Sequence, residues 1–211
     1  MADTNSLFVI NFGWHYYQYH YHTRSGELPC DKCDEIYDEC HAQMLSFLTE
    51  FLNTNNIRVA LEEGGTSLDI FSELQRLSVE NTILLEAIQS LPHENIFHDF
   101  VDITQEEVIG LIQQKKIQTC TDLRDKRAEL RDPYIAKHAV EIFSRYPQEN
   151  GLLVCAGRHF SGVTGQLETY AQAQAISLTK ISLSEYPWYK TGDEIHTISI
   201  TEEGHTCFIS S

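Results

Sequence analysis

The sequence predicts an α/β domain with a mixed central sheet flanked by helices and an antiparallel hairpin at the carboxyl end. Three observations predict it. A short continuous apolar run at 152–156, and mainly apolar runs at 7–12 and 57–61, have the length and composition of strands buried in a parallel sheet. Segments with apolar residues at helical spacing separate these runs, the alternation that strand–helix–strand crossovers require. Residues 194–200 and 206–209 instead alternate in polarity and flank Thr-Glu-Glu-Gly-His, a hairpin pattern.

Taken in order, the first run breaks into Gly13, Trp14 and His15. An aromatic and histidine-rich segment follows at 16–22, Tyr-Tyr-Gln-Tyr-His-Tyr-His, suited to the rim of a pocket. After a polar loop through Gly26 and Pro29, Asp34 is placed to cap a helix whose apolar face is Ile36, Cys40, Met44, Leu48 and Leu52. Asn53, Asn55 and Asn56 end it. The run at 57–61 leads directly into Glu62, Glu63 and Gly64, and carboxylates at the end of a buried strand call for a cation, an arginine or solvent. Thr66 or Ser67 caps a helix carrying Leu68, Phe71, Leu74 and Leu77. A further pattern, Val79, Ile83, Leu84, Ala87 and Ile88, stops before Pro92.

Residues 95–101 predict a third strand, near Asp99 and Asp102. Thr104 and Glu107 have capping-box spacing and open a helix through Val108 and Ile112. The densely charged stretch 121–129 reads as a solvated helix. Asp132-Pro133 is a cap and first-turn pair for a helix with Ile135, Ala139, Ile142 and Phe143 facing inward. That helix delivers the chain to the strand at 152–156, which breaks into a loop of Gly157, Arg158, His159, Ser161 and Gly162. Helical spacing returns at Val163, Leu167 and Tyr170, and 176–183 reads as another strand.

No repeat, low-complexity segment or linker divides the 211 residues, so 1–211 reads as a single domain with a substantial core. Lys and Arg number 15 against 31 Asp and Glu, a formal charge of -16, and no basic run occurs. An acidic surface repels phosphate backbones, which argues against nucleic acid and anionic membrane as partners. The polar start, Met-Ala-Asp-Thr-Asn-Ser, lacks the features of a signal peptide, and no apolar run is long enough to span a bilayer. These features predict a cytoplasmic protein whose six cysteines are free thiols or ligands, with Cys155 a small core residue.

Two strands that each end in Gly-x-His, Gly13-Trp14-His15 and Gly157-Arg158-His159, put two imidazoles on one sheet edge. Ligands collect at the carboxyl edge of such sheets, where loops converge and helix N-termini present free N–H groups. Two histidines and a carboxylate suffice to hold a divalent cation (Mn, Co or Zn) with open positions, which would activate water and polarise a carbonyl.

The segment Arg131-Asp132-Pro133-Tyr134-Ile135-Ala136, a helix, and then Leu-Leu-Val-Cys-Ala-Gly-Arg-His-Phe-Ser-Gly-Val at 152–163 resemble the carboxyl half of the TraB/PrgY/Tiki family. That family lies in the wider erythromycin esterase (EreA) and ChaN-like superfamily. Its members carry an Arg-Asp or Arg-Asn before a helix, Gly-x-x-His after the first strand and again after a later one, there followed by Gly-Val or Gly-Ile, and a Glu at the end of the second strand. Here Arg131, His15 and His159 match, and of Glu62 and Glu63 the first after the apolar run, Glu62, is favoured as the carboxylate; where the family has its first glycines this chain has Phe12 and Ala156, with Gly13 and Gly157 one place later. The resemblance implies metal-assisted hydrolysis of a peptide or other acyl bond, as in peptidases of the Tiki branch. His15, Glu62 and His159 would bind metal, or Glu62 would act as general base. Arg131 would pair a carboxylate or stabilise an oxyanion, so that Glu62, Arg131 and His159 carry catalysis. Glu63, Tyr16, Arg158 and Ser161 would meet a peptide or small-molecule substrate.

Other readings compete. The same fold could hold a ligand without catalysis, as haem-binding ChaN-like members do, through His15 or the segment 16–21. It could be an interaction protein, with the strand-end groups forming a polar cluster that stitches the sheet. Cys30, Cys33, Cys40 and His41 make a rival zinc site, although Cys40 also fits the apolar face of its helix. His20 and His22 are expected to face solvent and His138 to pack or pair near Arg131.

Overall fold

The computed structural model describes residues 5–12, 31–64, 82–92, 95–117 and 127–189. Five strands, β1 (Ser6–Phe12), β2 (Ile57–Glu63), β3 (Phe97–Val101), β4 (Asn150–Ala156) and β5 (Ser177–Ser182), form one sheet in the order β3-β2-β4-β1-β5. Every described pairing is parallel. The mixed sheet expected from the sequence is thus a parallel one, because helical crossovers return the chain to the same edge before each new strand. The stretch read as an antiparallel hairpin, 194–209, lies outside the described residues.

The helices are α1 (Asp31–Thr54), α2 (Ile83–Ser90), α3 (Gln105–Gln113), α4 (Arg127–Phe143) and α5 (Gly157–Ala173). The stripe Cys40, Met44, Leu48 and Leu52 lays α1 on one face of the sheet. There it meets Ile10, Ala60, Leu152 and Val154, together with Ile83, Leu84 and Ala87 of α2. On the other face α4 and α5 bury Ile135, Ala139, Phe143, Val163 and Leu167 against Leu7, Val9, Val59, Leu61, Leu153 and Cys155. Alternate residues of each strand therefore feed alternate cores, which is why the central strands read as continuous apolar runs. Gly151 of β4 admits α4 closely, since a Cβ there would come 2.5 Å from the Phe143 ring. No helix among the described residues is long and apolar enough to cross a membrane.

Two boundaries differ from expectation. Asp132 and Pro133 lie inside α4 rather than at its start. The helix extends upstream because Leu130 and Tyr134 pack on Ile103, Val108, Leu111 and Ile117, giving the extra turn an apolar anchor that outweighs the missing proline N–H. The loop expected after β4 is absent, and α5 begins at Gly157 directly after Ala156, so His159 sits in a helical first turn. The cap at α2 is Thr82, whose hydroxyl accepts from the Leu85 N–H.

At α3 the predicted capping box is present. The Thr104 hydroxyl accepts from the Glu107 N–H at 3.2 Å, and Glu107 Oε2 accepts from the Thr104 N–H at 2.9 Å. Glu107 Oε1 also meets Lys137 Nζ at 3.2 Å and His138 Nε2 at 3.1 Å, clamping α3 to α4. Burial would raise the Glu107 carboxyl, but the Thr104 hydrogen bonds, the His138 charge and Lys137 outweigh it and hold the carboxyl below its ordinary value. A depressed carboxyl stabilises the fold above its unfolded-state value, near 4.5, and ceases to do so as pH falls through its folded-state value. Glu107→Gln is therefore expected to cost about 1 kcal/mol in urea unfolding at pH 7, with the difference from wild type shrinking below pH 4.5.

Candidate functional site

The strand order brings the carboxyl ends of β3, β2 and β4 side by side, with neighbouring strands about 4.8 Å apart. Connections leave β2 and β4 in opposite directions, β2 toward β3 and β4 back across β1 to β5, the topological switch at which ligands collect in parallel sheets. Glu62 and Glu63 close β2. Gly64 follows at φ 124°, a conformation that favours glycine, and donates its N–H to the Val101 carbonyl at 3.2 Å. Asp102 follows β3, and His159 follows β4 in the first turn of α5.

Arg131 of α4 reaches across all three strand ends. Its Nε donates to Asp102 Oδ1 at 2.8 Å and Nη2 to Asp102 Oδ2 at 2.6 Å, a bidentate pair. Nη2 also donates to Glu63 Oε1 at 2.9 Å, and Nη1 lies 3.2 Å from His159 Nε2. Asp132, the next residue, accepts from His159 Nδ1 at 2.6 Å. With the carboxylate accepting at Nδ1 and the guanidinium donating at Nε2, the network assigns the Nδ1–H tautomer to His159. Nε2 also lies 3.3 Å from Glu63 Oε1. His159 is 0% exposed, and Glu63, Asp102, Arg131 and Asp132 are each below 8%. Asp102 is itself fixed, since Oδ1 accepts from the Ile103 N–H and its carbonyl accepts from His138 Nδ1.

Cys155 belongs to the same face of the sheet. Burial pushes its thiol well up, and the nearby carboxylates of Glu63 and Asp132 push it further, so it stays protonated. Asn11, paired with Cys155 across β1 and β4, has a buried Oδ1 with no hydrogen-bond partner. An acceptor is thus left unsatisfied on the row that leads to Glu63.

The structure brings together Arg131, His159 and Glu63 of the predicted residues. Glu62 points elsewhere. Its register partner is Phe100, its carboxylate lies 3.4 Å from His98 Nε2, and it is 1% exposed. Successive strand residues face opposite sides, so the carboxylate that reaches His159 is Glu63 and the expectation that favoured Glu62 is revised. Ser161 is exposed on α5 and takes no part in the cluster. The Arg158 side chain lies outside the described part, as do His15, Tyr16 and Cys30. His138 pairs as expected. Of the rival zinc site, Cys40 is buried against the core with its thiol on the Trp188 carbonyl, and His41 meets Glu86 at 3.1 Å. Among the described residues, no group of three or more His, Cys, Asp or Glu is arranged to hold a metal ion.

Asp102, Asp132 and His98 went unrecognised as site residues in the sequence. Asp132 reads there as a helix cap, and nothing local signals that its carboxylate crosses to a histidine 27 residues on. Removing the cation from this cluster would leave buried carboxylates without it, a change that typically costs about 3–5 kcal/mol. Arg131→Met is expected to lose that much stability in urea unfolding. Arg131→Lys should restore little, because an ammonium cannot reproduce the bidentate fork. Comparison of the chain with known protein families, with curated proteins and with solved structures found no match, so a role for the site rests on this geometry.

Proposed function

We propose that the protein is a hydrolase of peptide or other acyl bonds in which His159 carries the proton, on an EreA/ChaN-like fold of the TraB/Tiki kind. One observation carries the reading. Asp132 holds His159 at Nδ1 at 2.6 Å, while Nε2 stands between Arg131 at 3.2 Å and Glu63 at 3.3 Å, at the carboxyl edge of adjacent parallel strands. An imidazole oriented through one nitrogen by a carboxylate is the arrangement of a general base. In the neutral ring Nε2 accepts from Arg131, so it takes a proton only once substrate has drawn the guanidinium away from it. Once Nε2 has taken a proton from an attacking water, it donates to Glu63 without moving the ring. The hydroxide so formed attacks the acyl carbon, and the same proton passes to the leaving group. Arg131, already spanning the cluster, lies where charge develops on the acyl oxygen. The unpaired Asn11 Oδ1 offers an acceptor for a substrate N–H.

The divalent ion that the resemblance implies does not fit His159 as the ring is held, because both ring nitrogens are engaged and a guanidinium stands 3.2 Å from one of them. A second reading places an ion (Mn, Co or Zn) on the other face, where Glu62 and His98, 3.4 Å apart, offer two donors and a further one would have to come from outside the described residues. The acidic surface, with a formal charge of -16, favours a small or peptide substrate over nucleic acid or anionic membrane, and fits a cytoplasmic protein.

Hydrolysis of chromogenic acyl esters and fluorogenic peptides by the purified chain tests the first reading. His159→Gln and Asp132→Asn are expected to lower it by roughly 10²-fold or more, and Lys137→Ala to leave it unchanged. Equal activity in all three variants, or none in the wild type, would overturn the reading. Metal content by mass spectrometry after purification without chelator tests the second. About one ion per chain, lost in Glu62→Gln and His98→Ala and kept in His159→Gln, is the expected result. Loss in His159→Gln and His15→Ala with retention in His98→Ala would return the metal to the two strand-end histidines.

A further inference from the structure

Gly162 lies in the second turn of α5, inside a helix, where glycine is less favourable than alanine. Its backbone does not call for glycine, since among the described residues Gly64 is the glycine with positive φ. Space does. A Cβ at Gly162 would stand 1.7 Å from Asp132 Oδ2, 2.7 Å from Asp132 Cγ and 3.2 Å from Asp132 Cβ. Turning the carboxylate in place cannot relieve this, because its own carbon, Cγ, is also too close at 2.7 Å and does not move in such a turn. The whole side chain would have to withdraw, and Asp132 Oδ1 would leave His159 Nδ1.

We propose that Gly162 is a positioning residue. The absence of a side chain there creates the seat from which Asp132 holds the His159 ring in its Nδ1–H tautomer. Gly165, one residue short of a turn further along the same helix, supplies the contrast, as nothing lies within 4 Å of a Cβ built on it. Two glycines on one helix thus differ in kind: one is open to any small side chain, the other is closed by a carboxylate. Without that seat, Nδ1–H would have no acceptor at Asp132 and the ring could turn, which would remove Nε2 from between Arg131 and Glu63. The catalytic consequence rests on the proposed function; the positioning itself does not, and is read without substrate.

The test compares Gly162→Ala, Gly165→Ala, Asp132→Ala and Asp132→Ala/Gly162→Ala in the full chain. Nitrogen-15 histidine spectra report the tautomer and the downfield Nδ1–H proton of His159, assigned with His159→Gln. Gly162→Ala is expected to lose both signatures, as Asp132→Ala does, and Gly165→Ala to keep them. Thermal unfolding gives a second readout. Gly162→Ala should lower Tm by roughly 5–10 °C in the wild-type background and by little once Asp132 is alanine, because the Cβ then enters vacated space. Should Gly162→Ala fail to fold, the double variant is expected to fold as well as Asp132→Ala alone. Retention of the Nδ1–H signature in Gly162→Ala, an equal loss of Tm in both backgrounds, or a double variant that unfolds where Asp132→Ala does not, would overturn the proposal.

Discussion

The guanidinium of Arg131 is the constraint on which the site depends. Three strand ends terminate side by side with polar groups turned toward one core, and each would be costly if buried alone. A planar cation with donors in a fixed fork satisfies Asp102 through two of them, Glu63 through one and His159 through another. Because Asp132 follows Arg131 directly, the helix that delivers the cation also delivers the carboxylate to the other nitrogen of the same imidazole. One turn of α4 therefore fixes both sides of His159. Such buried networks are weak contributors to stability compared with well-packed apolar side chains of similar size. Their presence at a sheet edge that already has extensive apolar cores beneath it is therefore not explained by stability alone.

The carboxyl edge of the sheet has two distinct polar faces. Beneath α4 and α5 lie Glu63, Cys155 and Asn11, with Arg131 and His159 above them. On the α1 and α2 side lie Glu62 and His98, with Phe100 stacked edge-on to the imidazole at 5.0 Å. Two adjacent glutamates thus serve separate environments through nothing more than strand alternation. The sheet isolates them, so a ligand engaging one need not disturb the other.

Much of this was legible in the sequence. The strand runs at 7–12 and 152–156, the apolar stripe of α1, the capping box at Thr104 and the place of His159 just after a strand all follow from local pattern, whereas Arg131 was singled out by the family resemblance alone. What was hidden follows from distance and parity. Glu63 and Arg131 are 68 residues apart and Asp102 and Arg131 are 29 apart, and no periodicity encodes which strands become neighbours. The choice between Glu62 and Glu63 is one of parity, and β2 conceals it. Its residues are buried on both faces, and the irregularity between Ile57 and Val59 shifts the register. Asp132 was masked by its neighbour, since Asp-Pro is a strong helix-start signal that here yields to the apolar anchoring of Leu130 and Tyr134.

The position of β1 has a consequence for how the chain assembles. β1 lies between β4 and β5, with Leu7 beside Gly151 and Ser6 beside Ser177, so among the described strands the first has no partner until the last two have emerged. The sheet is a high-contact-order structure that must hold an apolar strand unpaired while most of the chain is synthesised. Pairing of β2 with β3 can form early, but pairing of β2 with β4 cannot, and with it neither can the His159 environment. The buried polar cluster around His159 therefore assembles only with the final closure of the sheet, so its carboxylates and imidazole stay in water until the apolar cores beneath them have formed.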